Sequence, residues 1–293
     1  MVSSSLEPLV IAGPTGCGKS AWALQCAQEQ EGELICADSR QIFQRMGLGT
    51  ACPSEEDYAQ VRHHGFERLD PRVRYSAGQF IVDTDAFVRE IQGRGKRPIL
   101  VGGTGLYLRA WRFGLEDVLA SDPLIRQRLE QERQESLYAR LLERDPHSAA
   151  VIQPTDRIRT LRALEVLEMS GRCPSALRTT DWQREPRVQA AWVLLWPSVA
   201  DLDARLRLRV ERMFLDGLAE EALALRSYLA EDDPALRLKT PGYCEAFLYL
   251  DGEISLGEAK ERVFRRHRQY AKRQRTWFQK EAWWRRVCSV NDY

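Results

Sequence analysis

Residues 13–20 read GPTGCGKS and have the types and spacing of a loop that binds phosphate groups. Glycines let backbone N–H groups turn toward an anion, Lys19 adds a positive charge, and the Ser20 hydroxyl can ligate Mg²⁺. An apolar run at 9–12 predicts a strand before the loop, and 21–30 predicts a helix after it. We therefore predict a di- or triphosphate site made by Gly13, Pro14, Thr15, Gly16, Cys17, Gly18, Lys19 and Ser20.

A second candidate lies at Asp38, directly after an apolar run, in the sequence Asp-Ser-Arg-Gln. One interpretation is a helix cap, with Asp38 at the N-cap and Gln41 three residues later. The other places a carboxylate at the carboxyl edge of a parallel sheet, where open α/β folds bind ligands and where it can accept a proton. The residues alone leave both interpretations open.

The glycine-rich segment 101–105 reads Val-Gly-Gly-Thr-Gly and follows a third apolar run. It predicts either a tight turn capped by Thr104 or a second loop that brings the Thr104 hydroxyl to a ligand. Neither this run nor 190–195 ends in the acid that usually holds Mg²⁺ in P-loop hydrolases. That difference argues against an ATPase, although Asp38 could supply the carboxylate.

Four short apolar runs predict buried parallel strands separated by helices, at Leu9–Ala12, Leu34–Ala37, Ile99–Val101 and Ala190–Leu195. The predicted fold class is α/β, with a parallel-sheet core like that of P-loop NTPases. Between residues 112 and 185 the strand signal stops, and helices are predicted at 122–143, 145–151 and 155–169. We predict a core of residues 1–111 and 186–293, carrying an all-helical insertion over 112–185.

The composition is that of an ordinary globular protein, with 293 residues, 44% apolar and 29% charged. No apolar run approaches the roughly 20 residues of a membrane helix, and no signal peptide is recognisable. Seven scattered cysteines without a C-x-x-C pair argue against disulfides or zinc and predict a cytoplasmic protein. We interpret Cys17 as a small residue that fits the loop rather than a reactive thiolate.

The C-terminal part of the chain is strongly basic, with eleven Lys or Arg and two acids between Lys260 and Arg286. Two long helices are predicted there, one over 201–229 interrupted at Asp216-Gly217, and one starting at Ser255. Lys and Arg neutralise phosphates, and the interleaved aromatic residues can stack on bases. We favour nucleic-acid contact over a solvated helix face, and we note a second basic cluster at Arg157, Arg159 and Arg162, where Glu165 could form a surface ion pair.

Together these motifs resemble the bacterial tRNA dimethylallyltransferases, also called tRNA isopentenyltransferases, over about residues 9–284. The segments that carry the resemblance read GPTGCGKS at 13–20, DSRQIFQRMGLGTACPS at 38–54, VGGTGLYLRA at 101–110, DRIRTLRALEVLEMSG at 156–171, GLAEEALAL at 217–225, GYCEAFLYLDG at 242–252 and RQYAKRQRTWF at 268–278. The chain departs from the family at Cys244, where a basic residue is common, and at Phe43, where tyrosine is usual.

The resemblance implies transfer of a dimethylallyl group from dimethylallyl diphosphate to the N6 amine of the adenosine 3′ of the anticodon in tRNA. It implies Asp38 as general base, and Lys19 and Thr104 as further catalytic residues. Ser20 would hold Mg²⁺ on the diphosphate. The residues expected to contact the tRNA anticodon stem-loop are Asp38, Ser39, Arg40, Gln41, Thr104, Arg126, Arg162, Ala163, Leu164, Glu165, Val166, Lys272 and Arg273.

Three other functions compete with this interpretation. A P-loop small-molecule kinase or NTPase leaves the basic C-terminal segment unexplained. An adenylate isopentenyltransferase acting on free nucleotides needs neither the insertion nor that segment. A non-enzymatic RNA-binding protein does not account for Lys19, Ser20 and Asp38 together. We expect a monomer, because no dimerisation helix is recognisable.

Overall fold

The computed structural model describes residues 6–115, 121–177, 185–229 and 240–287. In this part of the chain six parallel strands form one sheet in the order β3-β2-β4-β1-β5-β6. Their bounds are β1 Leu9–Ala12, β2 Gly32–Cys36, β3 His63–His64, β4 Arg97–Gly102, β5 Ala191–Leu195 and β6 Arg285–Val287. The predicted α/β class with a parallel sheet is confirmed.

The centre of the sheet is β1, which pairs with β4 on one side and β5 on the other. Every residue of β1 is buried, which explains its continuous apolar run. All four predicted strands are present. The sequence did not reveal β3 and β6, because strands of two and three residues made of histidines or beginning with arginines carry no apolar period.

Fourteen helices lie in the described residues. They are α1 Lys19–Glu29, α2 Gly47–Thr50, α3 Glu55–Gln60, α4 Ala77–Gly93, α5 Gly105–Phe113, α6 Pro123–Glu130, α7 Gln134–Arg144, α8 Pro146–Val151, α9 Arg157–Ser170, α10 Pro174–Leu177, α11 Val199–Leu215, α12 Leu218–Tyr228, α13 Tyr243–Leu250 and α14 Leu256–Gln279. None of them has the length and apolar character that a bilayer-spanning helix requires.

The chain divides into two compact units, one made of Met1–Arg112 with Val188–Tyr293 and the other of Phe113–Arg187. The first unit contains the sheet. The second contains α6 to α10 and has its own apolar core, which includes Leu129, Leu141 and Leu164.

The predicted single helix over 122–143 is wrong, because the chain leaves the helix after Glu130 and α7 starts at Gln134. The break frees backbone carbonyl groups, which then need new hydrogen-bond donors. The Arg157 guanidinium donates to the carbonyl oxygens of Glu130, at 2.8 Å, and Glu132, at 2.9 Å. A distant residue therefore stabilises this bend, which local propensity could not indicate.

Two predicted features of the C-terminal helices are confirmed. The chain breaks between α11 and α12 at Gly217, whose φ of 106° suits glycine. The helix α14 begins after Ser255, whose hydroxyl accepts the Glu258 N–H at 3.2 Å. The Glu258 carboxylate does not complete a capping box, since it forms an ion pair with Arg262.

Candidate active site

The phosphate loop runs from the end of β1 to the start of α1. Gly16 and Gly18 have φ values of 81° and 93°, so the backbone there turns in a way that side-chain-bearing residues rarely adopt. Lys19 is buried, and Ser20 is exposed in the first turn of the helix. Backbone N–H groups at a helix N-terminus and one buried ammonium are suited to hold an anion.

Cys17 is a packing residue of this loop. Its thiol is buried, and burial raises its pKa despite the neighbouring Lys19. A Cβ on Gly13 would lie 2.6 Å from the Cys17 sulfur, so the two residues fit each other. These contacts favour the small-residue interpretation over a reactive thiolate.

Asp38 follows β2 in a non-helical turn, so the helix-cap interpretation is wrong. One of its carboxylate oxygens accepts the Arg40 N–H at 2.9 Å, and the side chain lines the cavity described below. Gln41 is buried and donates to the carbonyl oxygens of Thr50 and Ala51, at 3.2 and 2.5 Å. The loop after β2 is thus tied to α2, with the carboxylate on the cavity side.

Thr104 connects the loops that follow β4 and β2. Its hydroxyl oxygen accepts the Ser39 N–H at 2.9 Å and lies 3.3 Å from the Ser39 hydroxyl. Thr104 therefore fixes the segment next to Asp38. Both interpretations of Thr104 retain support, because its backbone carbonyl also accepts the Tyr107 N–H in the first turn of α5.

Gln274 of α14 contacts both the phosphate loop and the loop that follows β4. Its amide oxygen accepts the Thr15 N–H at 2.8 Å, and its amide nitrogen donates to the Gly103 carbonyl at 2.9 Å. A Cβ on Gly103 would lie 2.3 Å from that nitrogen, so the close approach requires glycine. These contacts explain why a polar residue interrupts the apolar stripe of α14.

Two further residues of the site, Arg205 and Arg209 of α11, were not predicted from the sequence. Arg209 donates to the Thr15 hydroxyl and the Thr50 carbonyl, both at 3.2 Å, and Arg205 donates to the Cys17 carbonyl at 2.8 Å. Burial lowers the pKa of Arg209, and the charge of Asp38 opposes that change. The sequence indicates that these two arginines share one helix face, because they lie four residues apart, but it does not indicate what that face contacts.

These elements surround a cavity of about 300 Å³. Its lining combines cationic and anionic groups with backbone of the phosphate loop. The lining residues are Thr15, Gly16, Gly18, Lys19, Ser20, Asp38, Arg40, Gln41, Gly49, Thr50, Ala51, Arg205, Arg209, Thr240, Pro241, His267 and Tyr270. Such a cavity can hold an anionic leaving group on the Lys19 side and a proton-donating nucleophile on the Asp38 side.

His267 forms part of the wall of this cavity and is neutral at physiological pH. Burial, together with the charges of Arg209 and Arg266, lowers its pKa from 6.5 to about 3. The neutral imidazole adds no charge to a cavity that is already lined by several cationic side chains.

The site can accept Mg²⁺ through Ser20. In the described part of the chain no group of three or more His, Cys, Asp or Glu side chains could hold a metal by itself. Mg²⁺ commonly keeps few protein ligands and binds mainly to substrate phosphate oxygens. The exposed Ser20 hydroxyl at the helix start fits that type of site.

Fewer bases on the outer face of α14 are available to bind phosphate than its composition predicts. Five of its bases form ion pairs, mostly with acids of other helices: Lys260–Glu211, Arg262–Glu258, Arg265–Glu261, Arg266–Glu245 and Arg268–Asp203. Lys272 and Arg273 are exposed, and neither forms an ion pair with a described residue. Arg273 lies 5.7 Å from the Tyr270 ring.

In the second unit Glu165 forms the predicted ion pair with Arg162, but its carboxylate is fully buried and does not lie at the surface. Its carboxylate accepts from the Ser121 hydroxyl, from the Asp122 N–H at 3.0 Å and from Arg162 at 2.9 Å. Arg126 lies 3.7 Å from the same carboxylate. The neighbouring Ala163, Leu164 and Val166 are buried as well.

Fold and site define a P-loop α/β protein whose phosphate loop and Asp38 line one cavity at the carboxyl edge of its sheet. The profile of the family described as IPP transferase matches residues 41–281. The chain is 42% identical over 277 residues to tRNA dimethylallyltransferase 1 of Citrifermentans bemidjiense, covering 94% of this chain and 90% of the relative. It is 42% identical over 283 residues to the tRNA dimethylallyltransferase of Anaeromyxobacter sp. strain K, covering 94% and 92%.

Solved structures agree with these relatives. A eukaryotic dimethylallyltransferase described as acting on tRNA has a TM-score of 0.77 and 28% identity, over 93% of this chain and 70% of that one. The full-length tRNA isopentenylpyrophosphate transferase of Bacillus halodurans has a TM-score of 0.67 and 32% identity, over 96% and 89%. The chain belongs to the IPP transferase family, and the resemblance found in the sequence is confirmed.

Proposed function

We propose that this protein transfers a dimethylallyl group from dimethylallyl diphosphate to the N6 amine of the adenosine 3′ of the anticodon in tRNA. The amine nitrogen attacks C1 of the dimethylallyl group, and the bond from C1 to the diphosphate oxygen breaks. The diphosphate leaves with the bonding electron pair. The proton that the amine loses passes to the Asp38 carboxylate.

The observation that carries this proposal is that Asp38 and the phosphate loop line one cavity. A base for the amine and an anion site for the leaving group are the two groups that this substitution needs. The carboxylate is oriented by the Arg40 N–H, and the adjoining Ser39 is held by Thr104. Relatives named tRNA dimethylallyltransferase give the same reaction class.

Charge on the departing diphosphate is stabilised by Lys19, by the N–H groups of Gly16 and of Gly18 to Ser20, and by Arg209. Such groups contribute most when they are oriented before the reaction, and Arg209 is held by Thr15 and Thr50. Ser20 would hold Mg²⁺ on the diphosphate, where the ion neutralises developing negative charge.

For tRNA, Lys272 and Arg273 are suited to phosphate contact because they are exposed and have no acidic partner in the described chain. Arg126 and Arg162 are the candidate contacts of the second unit. The residues from Ala163 to Val166 are buried, and the Glu165 carboxylate lies 2.9 Å from Arg162 and 3.7 Å from Arg126. We assign the anticodon stem-loop to these surfaces and expect a cytoplasmic monomer.

The test is transfer of labelled dimethylallyl groups to unmodified tRNA with Mg²⁺, with AMP as rival acceptor and ATP as rival donor. Transfer to tRNA and not to AMP is the expected result. Transfer to AMP would indicate an adenylate isopentenyltransferase, and ATP turnover without prenyl transfer would indicate a kinase or NTPase. Either result contradicts the proposal.

A further inference from the structure

The backbone N–H of Thr15 is already bonded to protein, and its hydroxyl oxygen accepts a hydrogen bond while keeping its own proton. The backbone N–H donates to the Gln274 amide oxygen, and the hydroxyl accepts from Arg209. In loops of this type backbone N–H groups form the cradle for phosphate oxygens. Thr15 therefore contributes no free backbone donor. The Cys17 N–H donates to the Pro14 carbonyl at 3.2 Å, so the cradle is limited to the N–H groups of Gly16 and of Gly18 to Ser20.

Gln274 has little freedom to leave this position. Its side chain is 6% exposed, and its amide nitrogen is fixed by the Gly103 carbonyl at 2.9 Å. That second hydrogen bond orients the amide, so the oxygen and not the nitrogen faces the Thr15 N–H. A triphosphate entering the loop would have to displace this hydrogen bond to gain the missing donor.

We propose that Gln274 is a specificity-determining residue that restricts the phosphate loop to diphosphates and disfavours triphosphates. The inference rests on the proposed function in assigning a diphosphate to this loop. Gln274 acts as a positioning residue, because it works through the Thr15 N–H and does not contact the reacting atoms. The consequence is that abundant nucleoside triphosphates do not compete for a loop whose sequence is otherwise suited to them.

The experiment measures binding of inorganic pyrophosphate and tripolyphosphate by calorimetry, in Mg²⁺, with the full chain. The wild-type protein should bind pyrophosphate more tightly. Gln274→Met keeps the length and volume of the side chain but frees the Thr15 N–H, and should reduce the preference about tenfold, the value of one hydrogen bond to a charged group.

The matched control is Gln269→Ala, a change of an exposed glutamine on the same helix, which should leave the preference unaltered. Equal affinities in the wild-type protein, no binding of either anion, or an unchanged preference in Gln274→Met would each overturn the inference. Dimethylallyl transfer is measured separately. Selective binding that depends on Gln274 would support the inference even if transfer to tRNA were not found.

Discussion

The helix α14 has a buried face with uncharged polar residues and an outer face with charged ones. On the buried face His267 and Gln274 lie among apolar side chains, and Gln274 has defined partners on two loops. On the outer face bases predominate, and five of them form ion pairs, three with acids of neighbouring helices and two with acids of α14 itself. One helix therefore builds the wall of the cavity and also a charged surface.

The difference between these faces indicates what each contributes. Buried polar groups are costly unless they are paired, so the paired Gln274 fixes a particular geometry. The buried Nδ1 of His267, by contrast, has no hydrogen-bond partner among the described residues. Exposed ion pairs stabilise little and are screened by salt. We expect changes in the cavity to alter the rate of the chemical step, and changes on the outer face to alter tRNA affinity and its salt dependence.

The largest effect should follow Asp38→Ala in the cavity. Removal of the proposed base should lower the single-turnover rate of prenyl transfer about 10³-fold, within the usual range for general bases. Binding of tRNA should fall only modestly, because the main charged contacts lie elsewhere. The measurements are rapid-quench transfer with labelled dimethylallyl diphosphate and filter binding of tRNA.

The control for that change is Asp203→Ala, which removes an acid that pairs with Arg268 on the outer face. The chemical rate should stay near that of the wild-type protein. If Asp38→Ala reacted at a near-normal rate, Asp38 would not be the base, and the distinction between the cavity and the outer face would lose its main support.

Much of the fold could be predicted because its central strands are buried on both sides. Continuous apolar runs identified β1, β2, β4 and β5, whereas the short edge strands carry no such signal. The bend before α7 was missed for a different reason. It is stabilised by Arg157, which lies more than twenty residues along the chain.

The candidate site was predictable where the backbone itself forms it. The phosphate loop requires glycines and one lysine in a fixed order, so its sequence is specific. Arg209 and Gln274 could not be assigned in this way, because their contacts with Thr15 join residues 194 and 259 positions apart. The stretch from Ala163 to Val166 was predicted to contact tRNA because it belongs to a family motif. In the structure these residues are buried.

An intermediate effect concerns His267 on the buried face and can be measured without substrate. The pKa of His267 is about 3 in the folded protein and about 6.5 in the unfolded chain. Between these two pH values only the unfolded chain binds a proton at His267. Stability should therefore fall as the pH falls through this range. At pH 5 the loss due to this one residue is about 2 kcal/mol in the free energy of unfolding.

The variant His267→Gln should remove this part of the pH dependence. Denaturant unfolding at pH 7 and pH 5, followed by tryptophan fluorescence, compares the two proteins. His147→Gln changes an exposed histidine and should leave the pH dependence as in the wild-type protein. An equal loss of stability on acidification in His267→Gln would show that His267 titrates normally in the folded state.

The smallest of the three effects should follow the double change Lys272→Ala with Arg273→Ala on the outer face. Loss of two phosphate contacts should weaken tRNA binding about tenfold and reduce the slope of log affinity against log salt by about 1 to 2. The chemical rate at saturating tRNA should be unchanged. Fluorescence anisotropy with labelled tRNA over a series of salt concentrations measures both quantities.

The charge-matched control for this double variant is Arg262→Ala with Arg265→Ala, which removes the same charge from the same helix. These arginines form ion pairs with Glu258 and Glu261 of α14 itself, and Glu261 keeps Arg207 as a second partner when Arg265 is replaced. If only the overall charge of α14 attracted tRNA, both double variants would lose the same affinity. A larger loss and a shallower salt slope for Lys272 and Arg273 would place the RNA contact at that end of the helix, because only there are the bases available to phosphate.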